Sequence, residues 1–288
     1  MYRKAHENMV RRSLLVENLV SFERPALLPL LATYQNEALV ARKLLDSNLI
    51  KLNLDAEILE VGGGILSLTV QLASEGFRVT TVEPVADGFS NIAYLMNVYL
   101  RIAKEEKIKF NFNDSFIENT QFENKFDFIF SINVMEHLED PYSITVHLMK
   151  FLKNSGKLRF YCPNYDFPYE PHFQKWLVYR RNKAFYLPLS RAKSRFINPS
   201  ERVNVHRSLN FLTVAKLEKF FSKANISHTL NNDALRDLLK RVEFDVQLQN
   251  RHRLITFVVK FLVKFRMIGL VNLLPKRFWP IIDIEISH

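Results

Sequence analysis

The stretch Ile58-Leu-Glu-Val-Gly-Gly-Gly-Ile-Leu-Ser67 decides how the chain folds. Residues 58–61 form the apolar run of a buried strand, three glycines follow without a spacer, and a helical period runs over 66–74. Glycines let the backbone turn sharply and approach a ligand with no side chain in the way. The helix after them offers free N–H groups and the positive end of its dipole to an anionic group. Strand, glycine turn and helix together suit a nucleotide-like ligand; alone, they suit a tight connection equally well.

Outward from that stretch the chain alternates. Strand patterns over 58–61, 77–82, 107–112, 126–132 and 157–161 are separated by helix patterns over 66–74, 86–105 and 142–152, with a turn at Asn154-Ser-Gly156. The alternation predicts an α/β fold: a parallel sheet with helices on both faces. Right-handed crossovers bring the loops after the strands to one edge, where ligands bind. Two helix patterns, 5–20 and 25–47, precede the sheet and are expected to cover its edge or lid the site. Residues 163–207 break the rhythm with five prolines and many aromatic and basic residues, and read as an insertion or lid. Helical periods return over 213–224 and 233–241, with a short strand pattern at 226–230 between them. The expected division is a helical cap at 1–50, a cofactor-binding core at 51–162, an insertion at 163–210, and a C-terminal part at 211–288 that completes the sheet.

Residues 253–274 are apolar except for a narrow stripe of Arg253, Thr256, Lys260 and Lys264. The cations argue against a membrane span. An interfacial amphipathic helix and a helix covering the sheet both fit, and Lys276-Arg277-Phe278-Trp279 suits a lipid headgroup layer. The alternation Ile282-Asp-Ile-Glu-Ile286 predicts a half-exposed last strand.

Composition narrows the classes. The 288 residues are 48% hydrophobic, enough for a sizeable core. The single cysteine, Cys162, excludes an intrachain disulfide and a cysteine metal cluster, fits a reducing, cytoplasmic setting, and is expected to be a small buried residue. The first residues are polar and show no signal-peptide core. The net charge of +10 is uneven: residues 175–277 hold 22 Lys and Arg against 6 Asp and Glu. That asymmetry suggests an anionic partner: phosphate groups, a membrane surface or nucleic acid.

Glu83 ends the second strand pattern 21 positions after Gly62, where a carboxylate can accept both hydroxyls of a ribose. A dinucleotide fingerprint would place glycine where Ser67 stands, which ranks an NAD-dependent oxidoreductase lower. Taken with the loop Asn133-Val-Met-Glu-His-Leu-Glu-Asp-Pro141 and Leu152-Lys-Asn-Ser-Gly-Lys157, residues 55–165 resemble the class I S-adenosylmethionine-dependent methyltransferases. The resemblance is nearest to the ubiquinone-type O-methyltransferases. It implies a Rossmann-like, doubly wound, seven-stranded and mostly parallel sheet with an antiparallel last strand, extra N-terminal helices and a helical C-terminal elaboration. It implies that Glu60, Gly62, Gly63 and Gly64 hold the methionine part of the cofactor, S-adenosylmethionine. Glu83 would hold the ribose, Asp114 with Ser115 the adenine end, and Asn133 would lie beside the sulfonium. Leu66 departs from the small residue common there.

An activated methyl donor asks little beyond alignment and removal of a proton from the nucleophile. His137, of the family's Glu-His pair, suits that base, because its unperturbed pKa lies near neutrality. It also suits a packing role near Asp140-Pro141. His172, in the aromatic and acidic segment after the fifth strand, is the other candidate. The remaining histidines show no metal spacing. The expected function is methyl transfer to a small-molecule or lipid-like acceptor, at oxygen, with peripheral association to an anionic membrane through residues 251–279. The alternatives are a catalytically silent membrane- or partner-binding module of the same fold and, ranked last for want of a nucleic-acid motif, an RNA methyltransferase.

Overall fold

The computed structural model describes residues 2–85, 90–123, 125–173, 175–180, 183–185, 207–245, 248–249 and 253–287. Strands β1 (Glu57–Val61), β2 (Arg78–Val82), β3 (Asn111–Asn113), β4 (Phe126–Ile132), β5 (Leu152–Pro163), β6 (His228–Leu230) and β7 (Ile281–Ser287) form one sheet in the order β3-β2-β1-β4-β5-β7-β6. β1 to β5 run parallel, and β7 is antiparallel to both of its neighbours. Among the described residues the longer helices are α1 (Tyr2–Glu23), α2 (Leu28–Leu44), α3 (Ser67–Ser74), α4 (Ser90–Glu105), α5 (Pro141–Met149), α6 (Val214–Ala224), α7 (Ala234–Lys240) and α8 (Arg253–Lys264).

Period-two alternation assigns the two faces. Leu59, Val61 and Ile129 join Ile144 and Leu148 of α5 and Leu217 and Phe221 of α6 in one core cluster. Ile58, Phe128 and Phe130 point the other way, onto Ala38 and Ala41 of α2 and Leu68 and Leu72 of α3. Both faces of the central strands are therefore dry, as expected where helices cover a parallel sheet on both sides. Cys162 is buried in the first of these clusters. No described helix is long and apolar enough to cross a membrane.

Four sequence expectations need correction. The third strand pairs only from Asn111, because Lys107, at φ +57°, closes α4 and the next three residues leave it without joining the sheet. The turn at 154–156 lies inside β5 as a bulge. Phe126 pairs with Leu152 but Phe128 pairs with Lys157, so the extra residues loop out between them. Gly156 is required there: a Cβ would stand 2.9 Å from the Phe126 carbonyl oxygen. The helix expected over 253–274 stops at Lys264, because Arg266 takes φ +57° and a 3-10 turn over Ile268–Leu273 follows. Part of the expected lid, 186–206, and the expected start of the second core helix, 86–89, lie outside the described residues.

The fourth correction concerns β7, which is buried on both faces. Asp283 is 3% exposed, and both of its carboxylate oxygens accept from Arg159 of β5, at 2.9 and 2.8 Å. Arg159 Nη1 also donates to the Leu44 carbonyl at 2.9 Å and to Asn48 Oδ1 at 2.7 Å, tying the end of α2 to the sheet. Asp283 thus faces a second buried layer rather than water, while Glu285, 31% exposed, pairs with Lys157 and Asn48 nearer the surface. Asp283→Ala leaves the Arg159 guanidinium buried without its counter-charge and is expected to cost about 3–5 kcal/mol. Replacing both residues with apolar ones of similar volume should cost less. Urea denaturation of the two variants checks the order.

Candidate functional site

The glycine loop is fixed by close approaches. Gly62, at φ +87°, donates its N–H to the Val82 carbonyl at 2.8 Å, and a Cβ on it would fall 2.1 Å from Val134 Cγ2. A Cβ on Gly63 would fall 2.4 Å from Thr81 Oγ1. Gly64, at φ +54°, brings its N–H within 3.0 Å of Glu83 Oε2. The loop after β1 is thereby held against the end of β2 and the loop after β4. Leu66 holds φ +66°, which costs a non-glycine residue about 1–2 kcal/mol. Its side chain is fully buried among Val70, Leu95 and Val98, which offsets that strain by a similar amount. Ile65 and Ser67 face the cleft beside this loop, whereas Leu66 points into the core.

The loop floors a cleft of about 660 Å³ at the carboxyl edge of the parallel strands. Glu60, Gly62, Gly63, Gly64, Glu83, Asn133, His137 and His172 all line it. Glu60 accepts from Thr69 Oγ1; burial pushes its carboxyl up to about 8, against that hydrogen bond and helped by the nearby Glu83 charge. Burial likewise pushes Glu83 up to about 7; the Gly64 N–H opposes the shift and the Asp114 charge adds to it. Asn133 takes φ +57° and donates its N–H to the Tyr161 carbonyl at 2.8 Å.

Asp114 and Ser115 stand outside the cleft lining. Asp114 Oδ1 accepts from the Val85 N–H at 2.7 Å, and Ser115 Oγ is engaged with Asn113 Oδ1 and Thr120 Oγ1. The wall beyond β3 is made instead by residues 116–119. The segment expected to cover the sheet edge or lid the site, 25–47, does reach the cleft through α2, but the sequence does not mark which of its residues line it. Tyr34, Glu37, Ala38 and Ala41, spaced three and four apart, put one stripe of that helix on the cleft. The spacing was visible, but it is equally that of a helix packing on a core.

At the other end, a 3-10 turn over Met135–His137 follows β4. Asn210 staples it, donating through Nδ2 to the Met135 and Leu138 carbonyls at 2.7 and 2.8 Å. Asp140 caps α5, accepting from the Tyr142 and Ser143 N–H groups. His137, 35 residues from His172 in sequence, meets it with 3.3 Å between the two Nε2 atoms. His137 Nδ1 lies 2.8 Å from Ser208 Oγ, and His172 Nδ1 lies 2.6 Å from Glu170 Oε1. Burial alone would raise the Glu170 carboxyl, but His172 and the Phe173 N–H outweigh it and hold it below its usual range. Glu136 is fully buried beside this pair, and burial pushes its carboxyl up to about 7, opposed by His172.

This sheet order, glycine loop and acid at the end of β2 define a class I methyltransferase fold, and comparison with known proteins agrees. The methyltransferase domain family matches residues 33–249. An uncharacterized protein of Mycobacterium tuberculosis, Rv1509, is 32% identical over 253 residues, covering 87% of this chain and 85% of that protein. The ubiquinone biosynthesis O-methyltransferase of Rickettsia bellii is 32% identical over 102 residues, 35% of this chain and 40% of that protein. The plantazolicin methyltransferase BpumL, solved with a desmethylPZN analogue and S-adenosylhomocysteine, shares the fold over 98% of both chains at TM-score 0.51 and 13% identity. The chain belongs to the methyltransferase domain family, as a class I S-adenosylmethionine-dependent member.

Gly62→Ala places a methyl group against Val134 and strains the positive φ. It should destabilise the chain by about 1–3 kcal/mol, the usual cost of overpacking. Val134→Ala in the same chain should recover part of that loss. A double-mutant cycle by thermal denaturation measures the recovery.

Proposed function

We propose that the chain methylates a hydroxyl of a small, lipid-like acceptor, using S-adenosylmethionine bound in this cleft and His137 as the base. The observation that carries the reading is the continuity of the site. Glu83 reaches Gly64, Gly62 packs on Val134, Val134 accepts the His137 N–H, and His137 meets His172. S-adenosylmethionine supplies an activated methyl group on a sulfonium. The residues fit it: the glycines leave a cradle that a Cβ would fill, and Glu83 offers acceptor oxygens to ribose hydroxyls. Asp114 and Ser115 then shape the adenine end indirectly, through the Val85 N–H and the 116–119 wall. His137 Nε2 would take the acceptor proton as the methyl group leaves the sulfonium, its S–CH3 bond breaking to give the thioether, and joins the acceptor oxygen, while Glu170, through His172, fixes the orientation of the pair.

Calorimetry with S-adenosylhomocysteine tests the cofactor half. Glu83→Ala should lose about 1.5–3 kcal/mol, the worth of hydrogen bonds to a charged group. Because the ribose hydroxyls need the ionised carboxylate and burial places that group at about 7, wild-type affinity should fall as pH drops below 7. Affinity that is flat in pH and indifferent to Glu83→Ala would overturn the assignment. For the chemical half, His137→Ala should keep cofactor binding and lose about 10²–10⁴-fold in methyl transfer to phenolic and lipid-like acceptors.

The lipid-like acceptor finds support in the C-terminal elaboration. Phe257 is 72% exposed, and Ile255, Val258, Phe261, Phe265 and Leu273 are exposed beside it. Lys260, Lys264, Arg266 and Arg277 are exposed on the same segment, and no Asp or Glu occurs between Asp245 and Asp283. Because β7 is antiparallel, the chain entering it at Ile281 lies at the carboxyl edge of β5, the edge that carries the cleft. An apolar face with a cationic rim and no acid suits an anionic bilayer surface. The chain should float with phosphatidylglycerol-containing vesicles, and the Phe257→Asp/Phe261→Asp variant should not. Equal flotation of both, or of neither, would remove the membrane from the reading.

A further inference from the structure

Three ligand atoms converge beneath the acceptor end of the cleft. His137 Nε2 and His172 Nε2 are 3.3 Å apart, and each lies 3.9 Å from Glu136 Oε1. The point equidistant from the three lies about 2.2 Å from each, within tolerance of the ~2.0–2.2 Å bonds that first-row divalent cations make to imidazole and carboxylate. Glu136 is wholly buried, yet neither carboxylate oxygen has a hydrogen-bond partner among the described residues. A buried carboxylate without a partner is costly unless something compensates it.

Further contacts hold both imidazoles in place. His172 Nδ1 lies 2.6 Å from the Glu170 carboxylate, which suits a proton on Nδ1 and leaves Nε2 on the side of His137 and Glu136. Glu170 is itself fixed by the Phe173 N–H at 2.6 Å and the Tyr165 hydroxyl at 3.2 Å. His137 Nδ1 is held by Ser208 Oγ at 2.8 Å. Carboxylate-to-histidine contacts of this kind set the tautomer and raise ligand basicity in metal proteins. The backbone is held as well, since the Asn210 N–H donates to the Glu136 carbonyl at 2.9 Å.

We infer that Glu136, His137 and His172 bind a divalent first-row transition cation, zinc(II) or one of its neighbours, on the cleft side of Glu136. Two imidazoles and one carboxylate favour such an ion over magnesium or calcium, which take mainly oxygen ligands. Both histidines line the cleft while Glu136 lies below it, so the ion would be reached from the acceptor side. The inference goes beyond the methyl-transfer reading and competes with one part of it, since an ion held by His137 Nε2 leaves that atom unable to act as the base; ion binding itself is measured without cofactor or acceptor.

The experiment uses the full chain, stripped with chelator and titrated with zinc chloride by calorimetry and with cobalt(II) chloride by visible absorption. One equivalent should bind, and cobalt should give the intense visible bands of a low-coordinate nitrogen–oxygen site. Glu136→Gln and His172→Ala should each weaken binding at least tenfold. Because the Glu136 carboxyl is buried, Glu136→Gln preserves its shape, and the melting temperature of each variant confirms that it folds. Glu170→Gln, which touches no ion, should weaken binding less, by loosening His172. S-adenosylhomocysteine affinity, measured on the same variants, should be unchanged, which separates this site from the cofactor reading. Absence of stoichiometric binding at millimolar metal would overturn the inference. So would binding of equal strength in wild type, Glu136→Gln and His172→Ala, which would mean surface sites only.

Discussion

The structure depends on how closely the backbone of Gly62, Gly63 and Gly64 passes its neighbours. No side chain fits at the first two positions, and the third turns its N–H to Glu83. That proximity draws the ends of β1, β2 and β4 into one floor. Everything with chemical character stands on that floor or at its rim. The parallel pairing of β1 with β2 and β4 supplies the strand ends, but the glycines let those ends converge.

What the sequence made legible were features of local period and local backbone. β4 was read to the residue, since its apolar run is bounded by charged and polar neighbours. The glycine loop and Glu83 could be placed in the cleft because strand, turn and helix define their own geometry. The features that escaped depend on non-local partners. Ile282-Asp-Ile-Glu-Ile286 has the same pattern whether water or Arg159 faces Asp283. The cleft-facing stripe of α2 has the same period as a packing stripe. Asp114 occupies the expected position in the chain, and the contact of its Oδ1 with the Val85 N–H is one that no local spacing signals. The meeting of His137 with His172 has no short spacing to announce it; it follows from the path of the chain after β5.

Buried charge is distributed unevenly, and its treatment differs between the two halves of the sheet. Beyond β5, Asp283 is matched by Arg159 through two hydrogen bonds, and the pair is further satisfied by Asn231, Asn48 and a carbonyl. At the cleft, Glu60, Glu83 and Glu136 have no Lys or Arg partner among the described residues, Glu136 facing only the two histidines, and desolvation raises all three. The first arrangement holds the fold together. The second stores a demand for protons, hydrogen-bond donors or cations where ligands arrive.

The part played by α2 has a consequence for how such a cleft can change over generations. One wall is made by strand-end loops whose backbone angles and close contacts tolerate few substitutions. The facing wall is a regular helix, contributing only side chains at Tyr34, Glu37, Ala38 and Ala41. Exchanges at Tyr34 and Glu37 alter the shape offered to a ligand without touching a turn, a strand register or a positive φ, whereas Ala38 and Ala41 also pack on the central strands. Descendants of this chain can therefore retune the volume and polarity of the cavity from the helix side while the loop side stays fixed. The N-terminal segment, which looks like an accessory to the sheet, is where variation is cheapest.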